Sequence, residues 1–530
     1  MKEFNKTVDL ESLSKGLRRD FRSPRNKFSL LSCFNAKPSP YGIVAYDPVE
    51  VPISVGDLNG WGIDLEWPYP QLFKGDKYTI LMTGNRAFYV NEDEWSLIEM
   101  DLYNVENVNS VITPHKTGHP WSFIDCHDTW FMTNGGSIIF QTNHRTMITG
   151  GATLKVLVEN NIPTEAGAYY KGRIVLGGFD PDKFWKSGWV TAWQTTDNDG
   201  ETNILQRLNN LGDNFILWSS IGGGDIPLFL MLPSIADSGF LTSDSYGTTR
   251  NLWYDMMKRQ EWGFAPMPWK GKIRAMKQLG EVLVIYGADG ICAVRNISEP
   301  VPTLGVVNIP SIARLGIPCN GAVGGDGSVH VFVDVYGVVW RMGADLQPER
   351  LGYREFCKNL LGNEIMISHS QSENEFWISS DFETFHLTQT GMCEVDQVIT
   401  SMIDAQGRRY GFWQGVDEAS IQSIVTWDTI DFGNRGQKTI EQVQLPTDLG
   451  SFENVEFSLF WRNNTYEEFR QSPWKKVSAN GVAWPVVTAV DFRPSLRFTN
   501  LQKAKVEYIT FSYKQTDKRY IRGAYATEVA

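Results

Sequence analysis

The sequence predicts an all-β protein: an irregular β-propeller of about six to seven blades, preceded by an N-terminal arm and followed by a C-terminal β-sandwich. Three observations predict this. First, a short aromatic or β-branched strand, a Gly/Asn/Asp turn and a second such strand recur along the chain, beginning at Tyr78, Thr129, Arg173, Phe215, Val282, Val329 and Glu375. Second, the steps between these starts are 51, 44, 42, 67, 47 and 46 residues, close to the length of a four-stranded blade. Third, aromatic residues make up 13 % of the 530-residue chain, with 48 Gly and 24 Pro. That composition supplies large side chains to bury and residues to turn on, without need of disulfides. The competing arrangement is an unrepeated pair of β-sandwiches.

Residues 1–45 read as a basic arm. Asp9 could cap a short helix carrying Leu10, Leu13 and Leu17 at i, i+3 and i+7, ended by SPRNKF and KPSPYG. Residues 46–430 hold the hairpins. A two-stranded hairpin is marginal alone, and Glu94–Leu102, Thr153–Val158 and Glu394–Met402 are the expected outer strands. The long step after Phe215 holds an excursion around 233–270, read as an inserted loop with a short helix over Ser243–Trp269. Val51–Val55 or Ser420–Trp427 is expected to supply a closing strand. From 431 to 530 the texture changes: Val455, Phe457, Leu459 and Trp461 alternate with mostly polar neighbours, the mark of a strand with one buried face. AWPVVTAVDF, SLRFTNL and AKVEYITFSYKQ follow, giving a sandwich of roughly 100 residues and a tail, YIRGAYATEVA.

Composition excludes several classes. The six cysteines (Cys33, Cys126, Cys292, Cys319, Cys357, Cys393) form no CxxC pair, as expected of reduced, buried thiols. The N-terminus has no apolar run of a signal peptide. No segment approaches the ~20 apolar residues of a membrane span; Ile226–Ala236 is short and interrupted by Pro227 and Pro233, and reads as a buried strand and turn or as a pore-gating loop. Net charge is −12, yet residues 1–30 carry eight Lys/Arg against four acids, which leaves −16 on the remaining 500 residues. Such a body is not expected to grip DNA by neutralising phosphates, although like charge would let DNA pass without sticking.

Four constellations could carry chemistry, and each has a plainer reading. Thr196–Asn203 (TDNDGETN) half-matches the Asp-box loop of propeller sialidases: Thr196, Gly200 and Thr202 fit, Asn198 and Asn203 do not. Asp197, Asp199 and Glu201 alternate as in a calcium loop without its final bidentate Glu, so a polar turn is expected. His115, His119, Cys126 and His127 could ligate zinc, but in a strand Cys126 and His127 point to opposite faces, which favours structural roles. Asp57, Asp64, Asp334 and Asp381 lie near predicted inner strands, where propeller glycosidases place acid pairs; nothing in their spacing pairs them. Trp61, Trp67, Trp95, Trp121, Trp185, Trp189 and Trp193 could stack on sugars, with packing between blades the expected use. The Gly-rich GAVGGDG (Gly321–Gly327) lacks a phosphate-loop Lys and reads as a turn. P-loop, GxSxG, HExxH and dinucleotide fingerprints are absent from the sequence, so no catalytic, metal or cofactor-binding residue is assigned.

The order of basic arm, irregular propeller and terminal sandwich resembles the tail hub or nozzle proteins of short-tailed double-stranded DNA bacteriophages, including the packaged-DNA stabilisation (head-completion) proteins and the tail tubular protein B group. The stretches that carry the resemblance are Lys270–Ser298 (KGKIRAMKQLGEVLVIYGADGICAVRNIS), Ile430–Gln444 (IDFGNRGQKTIEQVQ) and Leu496–Tyr513 (LRFTNLQKAKVEYITFSY). The resemblance implies a non-enzymatic virion protein of the tail or neck, assembled in the host cytoplasm. It implies a ring of identical subunits, a hexamer, fixed beneath portal and adaptor rings and meeting tail fibre, needle or plug proteins. Such a ring retains packaged dsDNA and conducts it at ejection without sequence-specific binding or stable membrane insertion. The rival expectations are a propeller glycosidase or depolymerase, and a carbohydrate- or receptor-binding propeller.

Overall fold

The structure is a computed structural model. It describes residues 6–10, 16–19, 30–51, 58, 66–75, 78–84, 86–104, 119–126, 129–135, 139–141, 153–156, 164–179, 212–219, 221, 263–298, 303–405, 408–413, 421–433, 436–446, 452, 454–464, 466–499 and 505–516.

Six consecutive blades, each built on four antiparallel strands, follow one another along the chain; four are separate four-stranded sheets and two belong to larger sheets. Blade 1 comprises Gln71–Lys74, Thr79–Met82, Ala87–Asn91 and Ser96–Glu99. Blade 2 comprises Ser122–Cys126, Thr129–Thr133, Ile139–Gln141 and Thr153–Val156, with Asp101–Asn104 added in parallel outside the fourth strand. Blade 3 comprises Ala166–Tyr170, Arg173–Gly177, Phe215–Trp218 and Gly263–Pro266. Blade 4 runs through Ile273–Leu279, Val282–Gly287, Ile291–Ile297 and Thr303–Asn308, and blade 5 through Val323–Gly325, Val329–Val333, Val339–Gly343 and Pro348–Gly352. Blade 6 uses Met366–Ser370, Glu375–Ser379, Thr384–Leu387 and Met392–Val395. Blade 7 is the pair Ile399–Ala405 and Arg408–Trp413, which Glu50 meets through an isolated parallel bridge to Tyr410.

The second strands of blades 1, 3, 4, 5 and 6 are buried along almost their whole length between neighbouring blades. That is why VLVIYG, VHVFV and EFWIS read as near-continuous apolar runs rather than alternating ones.

Hydrogen bonds close the wheel at every seam. The Trp121 N–H donates to Gln71 Oε1 (2.8 Å) and Ser122 Oγ to the Gly167 carbonyl (3.2 Å). The Tyr170 hydroxyl donates to Glu281 O (2.6 Å), and His330 Nε2 to Gln278 O (3.0 Å). The Ile367 N–H donates to Gly321 O (2.9 Å) and Ser370 Oγ to Asp404 (3.0 Å). Between the last blade and the first, Thr400 Oγ1 donates to Pro70 O (2.5 Å) and Leu72 N–H to Ser401 Oγ (2.6 Å). Seams this close leave no room for side chains at some points: a Cβ on Gly316 would lie 1.7 Å from the Ala288 carbonyl oxygen, beside the bonds Ile317 N–H to Gly287 O and Val335 N–H to Gly316 O. Gly316→Ala is therefore expected to destabilise the protein by about 3 kcal/mol, the upper end of overpacking costs; a chemical-denaturation midpoint equal to the parent's would contradict it.

Two expectations about the repeats need correction. Phe215 does not open a blade; it begins the third strand of blade 3, whose strands are separated by long segments. Ser420–Trp427 does not close the propeller either. Its strand Gln422–Trp427 lies in the sandwich, between Leu30–Phe34 and Asp491–Thr499.

The sandwich packs two sheets. One centres on Lys438–Gln444 and Ile509–Gln515, with Lys6–Leu10 on its edge. The other orders Leu30–Phe34, Gln422–Trp427, Asp491–Thr499 and Val455–Arg462. Phe457 and Phe511 meet between them at 6.1 Å, and Phe432 stacks on Tyr513 at 4.8 Å. Val455, Phe457 and Leu459 are buried, as their alternation predicts.

The N-terminal segment is not an arm laid on this body. Lys6–Leu10 is a strand rather than the start of a helix, because pairing with Ile509–Gln515 offers it a sheet edge and tertiary pairing overrides local propensity. Leu30–Phe34 pairs antiparallel with Gln422–Trp427 and meets Met392–Val395 of blade 6 in parallel at Phe34 and Glu394. Propeller and sandwich thus share one ten-stranded sheet, and one apolar core runs from blade 4 through blades 5 and 6 into the sandwich.

Candidate functional site

The axis of the wheel is the first candidate. Each of the seven innermost strands pairs with another strand on one side only, so a ring of strand edges faces inward, with backbone groups such as Leu72 N–H and Ile367 N–H taken up at the seams. They enclose an open cavity of about 610 Å³ lined by residues from all seven blades. This is the size of a small-molecule pocket. A pocket of this size suits a compound of metabolite size.

The cavity wall is of mixed charge rather than acidic. Its carboxylates are Asp125, Glu165, Asp326 and Asp404; its cations are Lys74, Arg274 and Lys277. The acids have internal partners. Asp125 accepts from the Tyr78 hydroxyl (2.8 Å), and Glu165 holds Lys272 (2.5 Å) with Arg274 at 4.0 Å. Asp404 accepts from Ser370 Oγ (3.0 Å) and Ser372 N–H (2.9 Å). Asp326 accepts from Ser328 N–H and Oγ (2.8 and 2.6 Å); burial works to raise its pKa, but these bonds outweigh it and hold it below the ordinary value. Lys277, on the inner strand of blade 4, has no carboxylate within ion-pair distance among the described residues. Burial lowers its pKa. Burial, aided by the nearby Lys277 charge, also pushes His330 down to about 3. The neutral imidazole accepts from the Tyr286 hydroxyl at Nδ1 (2.8 Å) and donates from Nε2 to Gln278 O.

The residues singled out from sequence fall elsewhere. Asp334 is a turn acid, accepting from the N–H groups of Tyr336 and Val338 and from Trp340 Nε1, each at 2.9 Å. Asp381 lies 3.4 Å from Asn363 Nδ2 on an exposed turn. His119 Nδ1 is 3.8 Å from Glu364, and Cys126 is a buried thiol whose pKa burial pushes up. Trp121 donates to Thr83 O (2.9 Å) and Trp95 meets the Tyr410 ring at 4.2 Å, both at blade seams, whereas Trp67, at the entry to blade 1, donates to Glu364 O (2.8 Å) at the entry to blade 6. Asp57, Asp64, His115, His127, Trp61, Trp185, Trp189, Trp193, Thr196–Asn203 and Ile226–Ala236 lie outside the described residues. The Gly-rich Gly321–Gly327 contains the innermost strand of blade 5, Val323–Gly325, and is more than a turn. Its glycines fit the narrow hub: a Cβ on Gly324 would meet the Ile367 carbonyl at 2.5 Å.

The second candidate is a face of the sandwich. On the outer side of Val455–Arg462 and Asp491–Thr499, Arg462 and Arg493 both lie over Phe469 (4.6 and 4.0 Å) and Arg497 lies over Trp474 (4.5 Å); at the end of the opposite face Arg470 lies over Trp461 (5.4 Å). Lys475 and Lys476 are exposed beside them. Residues 454–499 hold six Lys/Arg against four acids, in a chain of net charge −12. Tyr466, Trp484 and Val486 are 94, 57 and 65 % exposed. Val486 is held at φ 47°, a strained conformation for a β-branched residue, in a turn that turns both Trp484 and Val486 outward.

Comparison with known proteins gives no match to any family model and none to any curated protein. Among solved structures, the chain is similar to AztD from Citrobacter koseri (7 % identity, 67 % of this chain and 82 % of that one, TM-score 0.33). It is similar to the extracellular domain of BT4673 from B. thetaiotaomicron (8 % identity, 91 and 55 %, TM-score 0.35) and to PorZ of Porphyromonas gingivalis (9 % identity, 67 and 35 %, TM-score 0.31). The chain spans about a third of PorZ and about half of the BT4673 domain. Likenesses of this strength bear on no functional reading of the chain.

Proposed function

We propose that this protein is a structural subunit that joins head to tail with copies of itself into a closed ring, the hub or nozzle of a short-tailed phage. The observation that carries the ring is the cationic, aromatic sandwich face, with Tyr466, Trp484 and Val486 exposed, on a chain that is otherwise acidic. Tyr, Trp and Arg are the residues that anchor protein interfaces, and opposite charge on the remaining surface of a second copy complements them. A patch that meets a different surface on its neighbour makes a heterologous contact, which closes into a ring when the rotation permits. The shared ten-stranded sheet fixes the sandwich to the propeller, which gives such a contact a defined angle. In this reading dsDNA passes along the axis between subunits, and each propeller is wall rather than pipe. The placement in a virion, beneath portal and adaptor, rests on the sequence resemblance alone.

The test is mass in solution. Light scattering at low ionic strength is expected to give a single oligomer, hexameric in the phage reading. Raised salt should weaken it, and the combined substitutions Arg470→Glu, Lys475→Glu and Lys476→Glu should release monomers. A wild-type protein that remains monomeric at high concentration and low salt would contradict the ring.

A further inference from the structure

Three charged side chains on the wall of the central cavity stand without an ionic partner among the described residues. Lys277 has no carboxylate within ion-pair distance. Asp326 accepts only from neutral groups of Ser328 and Val329, and Asp404 only from neutral groups of Ser370 and Ser372. Elsewhere on the wall charges are met: Lys74 pairs with Glu92, and Glu165 with Lys272. The three unpaired groups surround one imidazole. Burial lowers the His369 pKa, the nearby Asp326 and Asp404 carboxylates oppose that shift, and the Lys277 charge adds to it. Opposite charges thus lie within electrostatic reach of a single ring, yet are held too far apart to pair. The topology produces this grouping. Lys277, His369 and Asp404 sit near the ends of the first strands of blades 4, 6 and 7, and Asp326 directly follows the first strand of blade 5. Four successive blades therefore bring them to the same side of the hub, where first and second strands join.

A simple anion would gain at Lys277 and be repelled by the two carboxylates; a simple amine would gain at the carboxylates and be repelled by Lys277. A molecule that carries both charges gives each group its opposite, through charge-assisted hydrogen bonds. We propose that the central cavity binds a small zwitterion, an amino acid, with its ammonium group held by Asp326 and Asp404 and its carboxylate by Lys277. The cavity, at about 610 Å³, admits a compound of that size. Across it, Phe73 of blade 1 and Phe123 of blade 2, stacked at 5.3 Å, give the carbon chain an apolar surface. The site lies within one subunit and not on the sandwich face, so it stands whether or not the ring forms.

The probes are glycine, β-alanine, γ-aminobutyrate and ε-aminocaproate, which differ in the spacing of their two charges. They are titrated into the full chain at neutral pH and constant ionic strength and followed by calorimetry, with butylamine and butyrate as controls that carry one charge each. Saturable binding of at least one amino acid at millimolar concentration or below is expected, with both controls weaker by about tenfold or more. This comparison uses the wild-type protein alone, so it does not depend on a variant folding. Lys277→Met and Asp404→Asn should each weaken the best amino acid by about tenfold or more, the loss of one charge-assisted contact. Absence of saturable binding by all four amino acids at millimolar concentration would overturn the proposal. So would a control that binds as tightly as the best amino acid, or a folded variant of either kind that binds it as tightly as the parent.

Discussion

Glu375→Gln is expected to cost about 3–5 kcal/mol of stability, the range for breaking a buried ion pair by removing one partner. Glu375 opens the second strand of blade 6 and is 5 % exposed. Its carboxylate meets Lys37 Nζ at 2.5 Å, His386 Nε2 at 2.9 Å and Arg409 Nη1 at 3.4 Å. Lys37 belongs to the N-terminal segment and Arg409 to blade 7, so one carboxylate joins three parts of the fold. Beside it, Trp377 Nε1 donates to the Tyr46 hydroxyl (3.0 Å), which donates to Gln397 Oε1 (3.0 Å). Burial alone would raise the Glu375 pKa, but the His386 hydrogen bond and the neighbouring positive charge outweigh it and bring it down to about 2. His386 is wholly buried, and burial lowers its pKa; Lys37 and Arg409 bring positive charge to the cluster. A depressed carboxyl pKa gives stability that is fully present above the unfolded value near 4.3 and lost as pH falls through about 2. The wild-type advantage over Glu375→Gln should therefore be constant from neutral pH down to about 5 and shrink below about 4. Denaturant unfolding of both proteins across that range measures it. A difference below about 1 kcal/mol at neutral pH, the value of an exposed pair, would show that the cluster is not the clamp described here.

Deleting residues 1–45 is expected to abolish folding to the native state. A basic arm docked on a finished body could be removed at little cost. Here the deletion would take away Leu30–Phe34, the strand between Met392–Val395 and Gln422–Trp427, and with it Asn35, whose N–H donates to Glu394 O (2.8 Å) and whose side chain accepts from Asp396 N–H (2.9 Å). It would remove the buried Leu30, Cys33, Ala36 and Ile43 and leave Glu375 without Lys37. The two large aliphatic side chains alone are worth roughly 1.5–3 kcal/mol each, the clamp a similar amount or more, and two sheet edges would lie bare. Together these approach the 5–15 kcal/mol by which domains are typically stable. Circular dichroism and limited proteolysis of the truncated chain check this; a soluble product with the parent's melting temperature would contradict the integration of the N-terminus into the fold.

The blades were legible in the sequence because a strand buried on both faces is written as an unbroken apolar run, and those runs recur. The first strands of Val282, Val329 and Glu375 mark the second strands of blades 4, 5 and 6. Where long segments separate strands within one blade, as around Phe215, the same signal miscounts. The N-terminal strands were not legible, since their edges are completed by residues hundreds of positions away: Cys33 pairs with Val425, and Arg18 donates to Asp428 at 3.0 Å. No local pattern encodes such partners. Lys277 was hidden for a related reason. It sits in an ordinary strand, and its lack of a carboxylate among the described residues becomes visible only when seven strands from distant parts of the chain converge on one axis. In the sandwich the alternation that buries Phe457 was legible, whereas nothing in the sequence marked Tyr466 and Trp484, which lie outward.

The most direct test of the central claim, that a wheel rigidly joined to a sandwich assembles into a ring through the sandwich face, is negative-stain imaging of the purified full chain at low ionic strength. Closed rings are predicted, in which each subunit shows a disc and a smaller lobe, and the lobe touches the disc of the next copy. Single particles of one disc and one lobe, or open chains that never close, would contradict the account.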